Sequence, residues 1–137
     1  MGDALGAGAR LLFDAPFSSF LFDLMAGPEN WRLISQTPGS RGIVCGVADA
    51  RNTKPDEEAL MIWAARYAAS TAGRGLDRVG LAPSAGLEYL PRDRARAKIR
   101  ALGAAAEKAS TSDPRALREA MNPRLNPLLA APPGGKA

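Results

Sequence analysis

A chain of 137 residues can hold one domain with a modest core, and here the hydrophobic share leans on alanine, which buries little area. Lys and Arg total 18 against 14 acidic residues, a net charge of +4 too mild to mark a nucleic-acid footprint, so nucleic acid is not an expected partner. With no histidine and one cysteine, Cys45, the chain alone supplies no Ser-His-Asp triad, no Cys-His pair, no His-ligated metal and no internal disulfide.

Residues 1–10 are small and Gly-rich and are expected to be disordered. Leu11-Leu12-Phe13-Asp14-Ala15 reads as a first strand ending on a carboxylate. Ser18 or Ser19 could cap a helix in which Phe20, Leu21, Leu24 and Met25 share a face, stopped by Gly27-Pro28. A second helical turn then carries Trp31, Leu33 and Ile34, and Thr37-Pro38-Gly39-Ser40 is a break.

The central stretch follows. Ile43, Val44, Cys45 and Val47 form a short apolar run suited to a parallel strand covered on both faces. Gly46 interrupts it and predicts a close approach of another backbone or a ligand. Asp49, Arg51 and Asn52 come next, where strand ends of α/β proteins hold ligands. Their spacing fits either a binding site or a loop whose polar groups cap the following helix.

Thr53, Pro55 and Asp56 resemble a capping box ahead of a helix with Leu60, Trp63, Ala64, Tyr67 and Ala68 on one face, ending near Gly73-Arg74-Gly75. Val79–Ala82 is a third strand, and Ser84 and Glu88 follow its end. Pro91 opens a helix with Ala95, Ile99, Leu102 and Ala106 as the packed stripe and Arg92, Arg94, Arg96 and Arg100 largely off it. Asp113-Pro114 starts a shorter helix to about Met121, and the Asn-Pro and Pro-Pro-Gly-Gly tail is expected to be disordered. No apolar run reaches the length of a membrane span, and Met1 to Arg10 lacks the order of a secretory signal, so a cytoplasmic location without membrane contact is the expectation.

Three βα units in succession imply parallel strands with their polar ends (Asp14; Asp49, Arg51 and Asn52; Ser84 and Glu88) on one rim. A closed eight-stranded barrel takes roughly 250 residues, so this chain is a small open α/β domain or part of a barrel.

Gly46-Val47-Ala48-Asp49-Ala50-Arg51-Asn52-Thr53, followed after a helix by Leu81-Ala82-Pro83-Ser84-Ala85-Gly86-Leu87-Glu88-Tyr89-Leu90-Pro91, resembles the end of the catalytic barrel of cobalamin-independent methionine synthases and their archaeal-type and uroporphyrinogen-decarboxylase-like relatives. The resemblance runs from about Leu11 to about Ala109 and implies the last three βα units of a (β/α)8 TIM barrel. It implies methyl transfer from a methylated folate or a corrinoid to a thiol such as homocysteine, with zinc activating the thiol. It also implies that the chain is a fragment, a split subunit whose barrel a partner chain completes, or a degenerate member of the family. In the family, zinc is held by a His and a Cys of an earlier strand, a Glu of the next strand and a Cys in a P-D-C-G turn, and a His after the G-V-x-D strand acts as acid. Here the Glu position falls near Asp14, the turn cysteine is Ala85 and the acid position is Arg51, while Asp49 matches the family's Asp. Asp49 and Arg51 are thus the expected catalytic pair, Asn52, Ser84 and Glu88 the expected substrate contacts, and Asp14 the expected metal ligand. The alternative reading is a non-catalytic module that binds a small polar ligand or serves assembly.

Overall fold

The structure, a computed structural model, describes residues 8–122. The chain runs α1 (Ala9–Asp14), β1 (Ser19–Asp23), α2 (Asn30–Gln36), β2 (Gly42–Ala48), α3 (Glu58–Ser70), β3 (Val79–Pro83), α4 (Arg92–Ala109) and α5 (Pro114–Ala120). The three strands form one parallel sheet in the order β1-β2-β3. The expected repeat of parallel βα units is therefore present as an open sheet. The expected disordered start and tail lie outside the described residues, except that Ala9 and Arg10 already belong to α1 and Ala9 is buried in the core.

The first unit departs from the sequence reading. Leu11–Ala15, expected as a strand, falls within and just after helix α1, and Phe20–Met25, expected as a helix, overlaps strand β1 and the turn after it. β1 is apolar on both faces over Phe20, Leu21 and Phe22, so it shows no alternation, and its spacing equally satisfies a helical template. Pairing to β2 decides the outcome: Phe20 stands opposite Ile43 and Phe22 opposite Cys45. That row of side chains, continued by Val79 and Leu81 of β3, packs on the helices.

The core is one cluster of Phe20, Phe22, Ile43, Cys45 and Val47 against Leu33 and Ile34 of α2, Met61 and Ile62 of α3, and Leu102 and Ala105 of α4. Full burial of each large aliphatic or aromatic side chain contributes about 1.5–3 kcal/mol, so this small set supplies much of the driving force. On α3 the buried residues are Ala59, Met61, Ile62, Ala64, Ala65 and Ala68. Trp63 and Tyr67, expected on the packed stripe, stack on each other at its margin and meet Trp31 of α2. The other sheet face carries Leu21, Val44 and Gly80, side by side in register. Leu21 is 41% exposed there, although parallel sheets are usually covered on both faces.

Two further expectations change. The Thr53–Asp56 capping box does not form: α3 starts at Glu58, and its cap residue Glu57 makes no side-chain cap bond. On α4 the buried line is Lys98, Leu102, Ala105 and Ala109, while Ile99 is 57% exposed. The stripe is shifted because Lys98, which hydropathy places outside, turns inward to a buried carboxylate. The α5 reading holds, with Asp113 capping the helix by accepting from the Arg115 N–H at 2.9 Å. Among the described residues no helix is long and apolar enough to cross a membrane.

Candidate functional site

The parallel topology brings three strand ends together. β1 ends on Asp23, β2 runs out through Asp49, Ala50, Arg51 and Asn52, and β3 ends at Pro83 and Ser84. Asp14 does not belong to this set. It is the exposed last residue of α1, which precedes β1, so its expected place at a strand end is corrected: Asp23 holds that position.

Gly46 makes the convergence possible. Asp23 stands opposite Gly46 in the ladder, and a Cβ on Gly46 would come within 2.9 Å of the Phe22 carbonyl oxygen, 3.2 Å of Ser84 Cα and 3.3 Å of Asp23 Cα. The predicted close backbone approach is thus found, and it is made by both neighbouring strands. One residue later the β2–β3 register slips between Gly46 and Ala48, leaving Val47 as an extra residue. Such an irregularity re-aims the side chains that follow it. Gly46→Ala should cost about 1–2 kcal/mol by overpacking and splay the strand ends. Urea denaturation reads the first effect, and a substitution with unchanged midpoint would refute this account of the glycine.

The rim is a connected polar network. The Arg51 guanidinium donates from Nη2 to Asp23 Oδ2 at 3.0 Å and from Nη1 to Ser84 Oγ at 3.3 Å, so one side chain of the β2 loop touches both other strand ends. Ser84 Oγ also accepts from the Ala50 N–H at 3.1 Å. Asp23 Oδ1 accepts from the Met25 and Ala26 N–H groups at 3.0 and 2.9 Å. Asp49 accepts from the Arg51 N–H at 2.9 Å and from Asn52 Nδ2 at 2.7 Å. Its own N–H donates to Asp56 Oδ1 at 2.9 Å. Burial pushes the Asp23 carboxyl upward, but the Ala26 and Met25 N–H bonds and the hydrogen bond and charge of Arg51 outweigh it, leaving the pKa below its ordinary value.

Asp49, Arg51, Asn52 and Ser84 are therefore brought together as the sequence predicts. Glu88 is not: it is exposed, and its carboxylate folds over Gly86, where an added Cβ would meet Glu88 Oε2. Asp23 is the residue that sequence reasoning missed at the rim. Asp23 does end an apolar stretch, but the spacing of Phe20, Leu21, Leu24 and Met25 predicts a helix there, which gives no strand end. Asp56 and Lys98, which join the same loop from behind, were also missed.

Comparison of the chain with protein-family models, with curated proteins and with solved structures returns no match.

The rim does not fit the zinc site that the resemblance implies. The turn position that would carry a thiolate is Ala85, which is exposed and has no ligating atom. Cys45 does not replace it: its Sγ faces the Ala64 carbonyl oxygen of α3 at 3.9 Å, and burial pushes the thiol up to about 12, against the opposing charge of Arg74. The strand-end carboxylate Asp23 is already occupied by a guanidinium and two N–H donors. What remains is a cation and carboxylates side by side, with the Arg51 side chain half exposed to solvent.

Proposed function

We propose that this chain is a methionine-synthase-like α/β unit whose rim receives a small zwitterionic ligand of the homocysteine type, and that it does not by itself carry zinc-dependent methyl transfer. The observation that carries the reading is the Arg51 guanidinium spanning Asp23 and Ser84, with half of its surface free and the Asp49 carboxylate beside it in the chain. An α-amino acid presents a carboxylate and an ammonium a few ångströms apart. The free edge of Arg51 suits the first, and Asp49 suits the second. Asp23 supports the family reading, since it ends the strand before the G-V-x-D strand, where the family carries its Glu. Arg51 in the acid position and Ala85 in the cysteine position argue against transfer chemistry in this chain alone.

The uncovered sheet face bearing Leu21 and Val44 supports a partner chain, one that supplies further βα units and completes a barrel, with a methylated folate or corrinoid bound only in that assembly.

Thermal-shift and calorimetric titrations of the purified chain test the proposal. Homocysteine should raise the midpoint and Arg51→Met should abolish the rise. Zinc should not be retained after dialysis. Stoichiometric zinc retention, or methyl transfer to homocysteine by the isolated chain, would defeat the claim of lost zinc chemistry. No response to homocysteine would defeat the ligand assignment and leave the rim as a capping network.

A further inference from the structure

Lys98 is an unusual member of a packed helix stripe. It is 4% exposed, in line with Leu102, Ala105 and Ala109, and its Nζ donates to Asp56 Oδ2 at 2.8 Å and to the Lys54 carbonyl oxygen at 2.9 Å. Asp56 is equally buried, its side chain 5% exposed. Replacing such a buried ion pair with apolar groups is often neutral or stabilising, so the pair is poorly explained as a source of stability. Its geometry offers a different role. The second oxygen of Asp56 accepts from the Asp49 N–H, and the Asp49 carboxylate in turn fixes the Arg51 N–H and the Asn52 amide.

We infer that Lys98 and Asp56 form a buried positioning relay through which α4 sets the Asp49–Asn52 loop and aims Arg51 across the rim. The ammonium clamps the loop at two points on either side of Pro55, at Lys54 and Asp56. With both fixed, the Asp56 carboxylate has one free oxygen, and it is directed at the Asp49 backbone. The pair lies outside the set of groups that would touch a ligand. It acts by holding Asp49, whose two oxygens accept from the Arg51 N–H and the Asn52 side-chain amide. This also accounts for the failure of the capping box: Asp56 is withdrawn from the N-terminus of α3 because it bridges α4 and the end of β2. The assignment rests on the reading of the rim as a binding site, but its central readout needs no ligand.

The test is amide hydrogen exchange of the full chain followed by NMR, with homocysteine titration as a separate arm. Lys98→Met leaves the acceptor Asp56 in place, so a purely local bond to Asp49 would survive it. The relay predicts that Lys98→Met lowers protection of the Asp49 amide about tenfold and shifts the Arg51 Nε–H resonance. The paired change Asp56→Asn with Lys98→Gln, which keeps hydrogen-bonding groups at both positions, should restore protection. Lys98→Ala, which removes the donor and leaves room for water to solvate Asp56, gives the same readout if Lys98→Met does not fold. A Lys98 variant with unchanged Asp49 protection and unchanged Arg51 resonance overturns the relay, whatever its melting temperature. If the unmutated chain does not respond to homocysteine, the ligand reading falls, and the exchange data still decide the relay.

Discussion

Arg74→Met should lower the thermal midpoint of this chain by about 10 °C or more, the largest effect expected of any single polar substitution in it. Arg74 is 2% exposed and lies beyond the end of α3. Its Nε donates to the Arg41 carbonyl oxygen at 2.9 Å, Nη1 to that of Ala68 at 2.9 Å, and Nη2 to that of Thr37 at 2.8 Å. Thr71 Oγ1 and the Thr71 and Pro38 carbonyl oxygens complete the shell. Among the described residues no carboxylate pairs with it. The guanidinium instead gathers the carboxyl-terminal ends of α2 and α3, where unsatisfied carbonyls and the helix dipole favour a cation. Burial lowers its pKa, but guanidinium remains charged at neutral pH.

Methionine fills much of the same volume but takes the guanidinium donors from the Thr37 and Arg41 carbonyl oxygens, at about 1–3 kcal/mol each where water cannot reach, while the Ala68, Thr71 and Pro38 carbonyl oxygens keep backbone or hydroxyl donors. Arg74→Lys separates charge from shape. An ammonium keeps the charge but lacks the planar fork, so it should recover less than half of the loss. Calorimetric midpoints for both variants decide the matter. A Met variant within about 2 °C of the parent would show that the carbonyls find other donors. Gly39 guards the same corner: a Cβ there would collide with the Ala72 carbonyl oxygen, and Ala72 itself holds φ +52°.

The parts of this fold that are legible in sequence are those where one pattern excludes the others. Ile43 to Val47 is short, apolar and β-branched, and it is a strand. The third strand and the helices α3, α4 and α5 follow from similar contrasts, and the strand ends of β2 and β3, read as polar clusters, do meet at one rim. The first unit was not legible. Leu11-Leu12-Phe13 satisfies a strand template and Phe20-Leu21-Phe22 a helical one, and only pairing with β2 selects otherwise. The error carried Asp14 into the site in place of Asp23. Arg74, Asp56 and Lys98 were missed for another reason. Each is a charged residue held inside by specific partners distant in sequence, and hydropathy places such residues outside.

Asp23→Ala should cost about 2–3 kcal/mol at neutral pH and remove the proposed homocysteine response, while Arg51→Met should cost about 1 kcal/mol or less and remove the same response. The difference follows from exposure. Asp23 is fully buried, so its loss leaves the Met25 and Ala26 N–H groups and the guanidinium without their acceptor. The Arg51 side chain is half exposed, and an ion pair of that kind contributes little after screening and side-chain entropy. Acid gives an independent check. The folded-state pKa of Asp23 lies below its ordinary value of 3.8, so its contribution is fully present above that pH and disappears as the pH falls through the lowered folded value. The stability gap between the parent and Asp23→Ala should therefore be constant from neutrality down to about pH 5 and begin to narrow below about pH 4. Urea melts at pH 7 and pH 3 measure it. A gap that persists undiminished well below the carboxylate range would mean that Asp23 acts through packing alone, and the rim would lose its ionic centre.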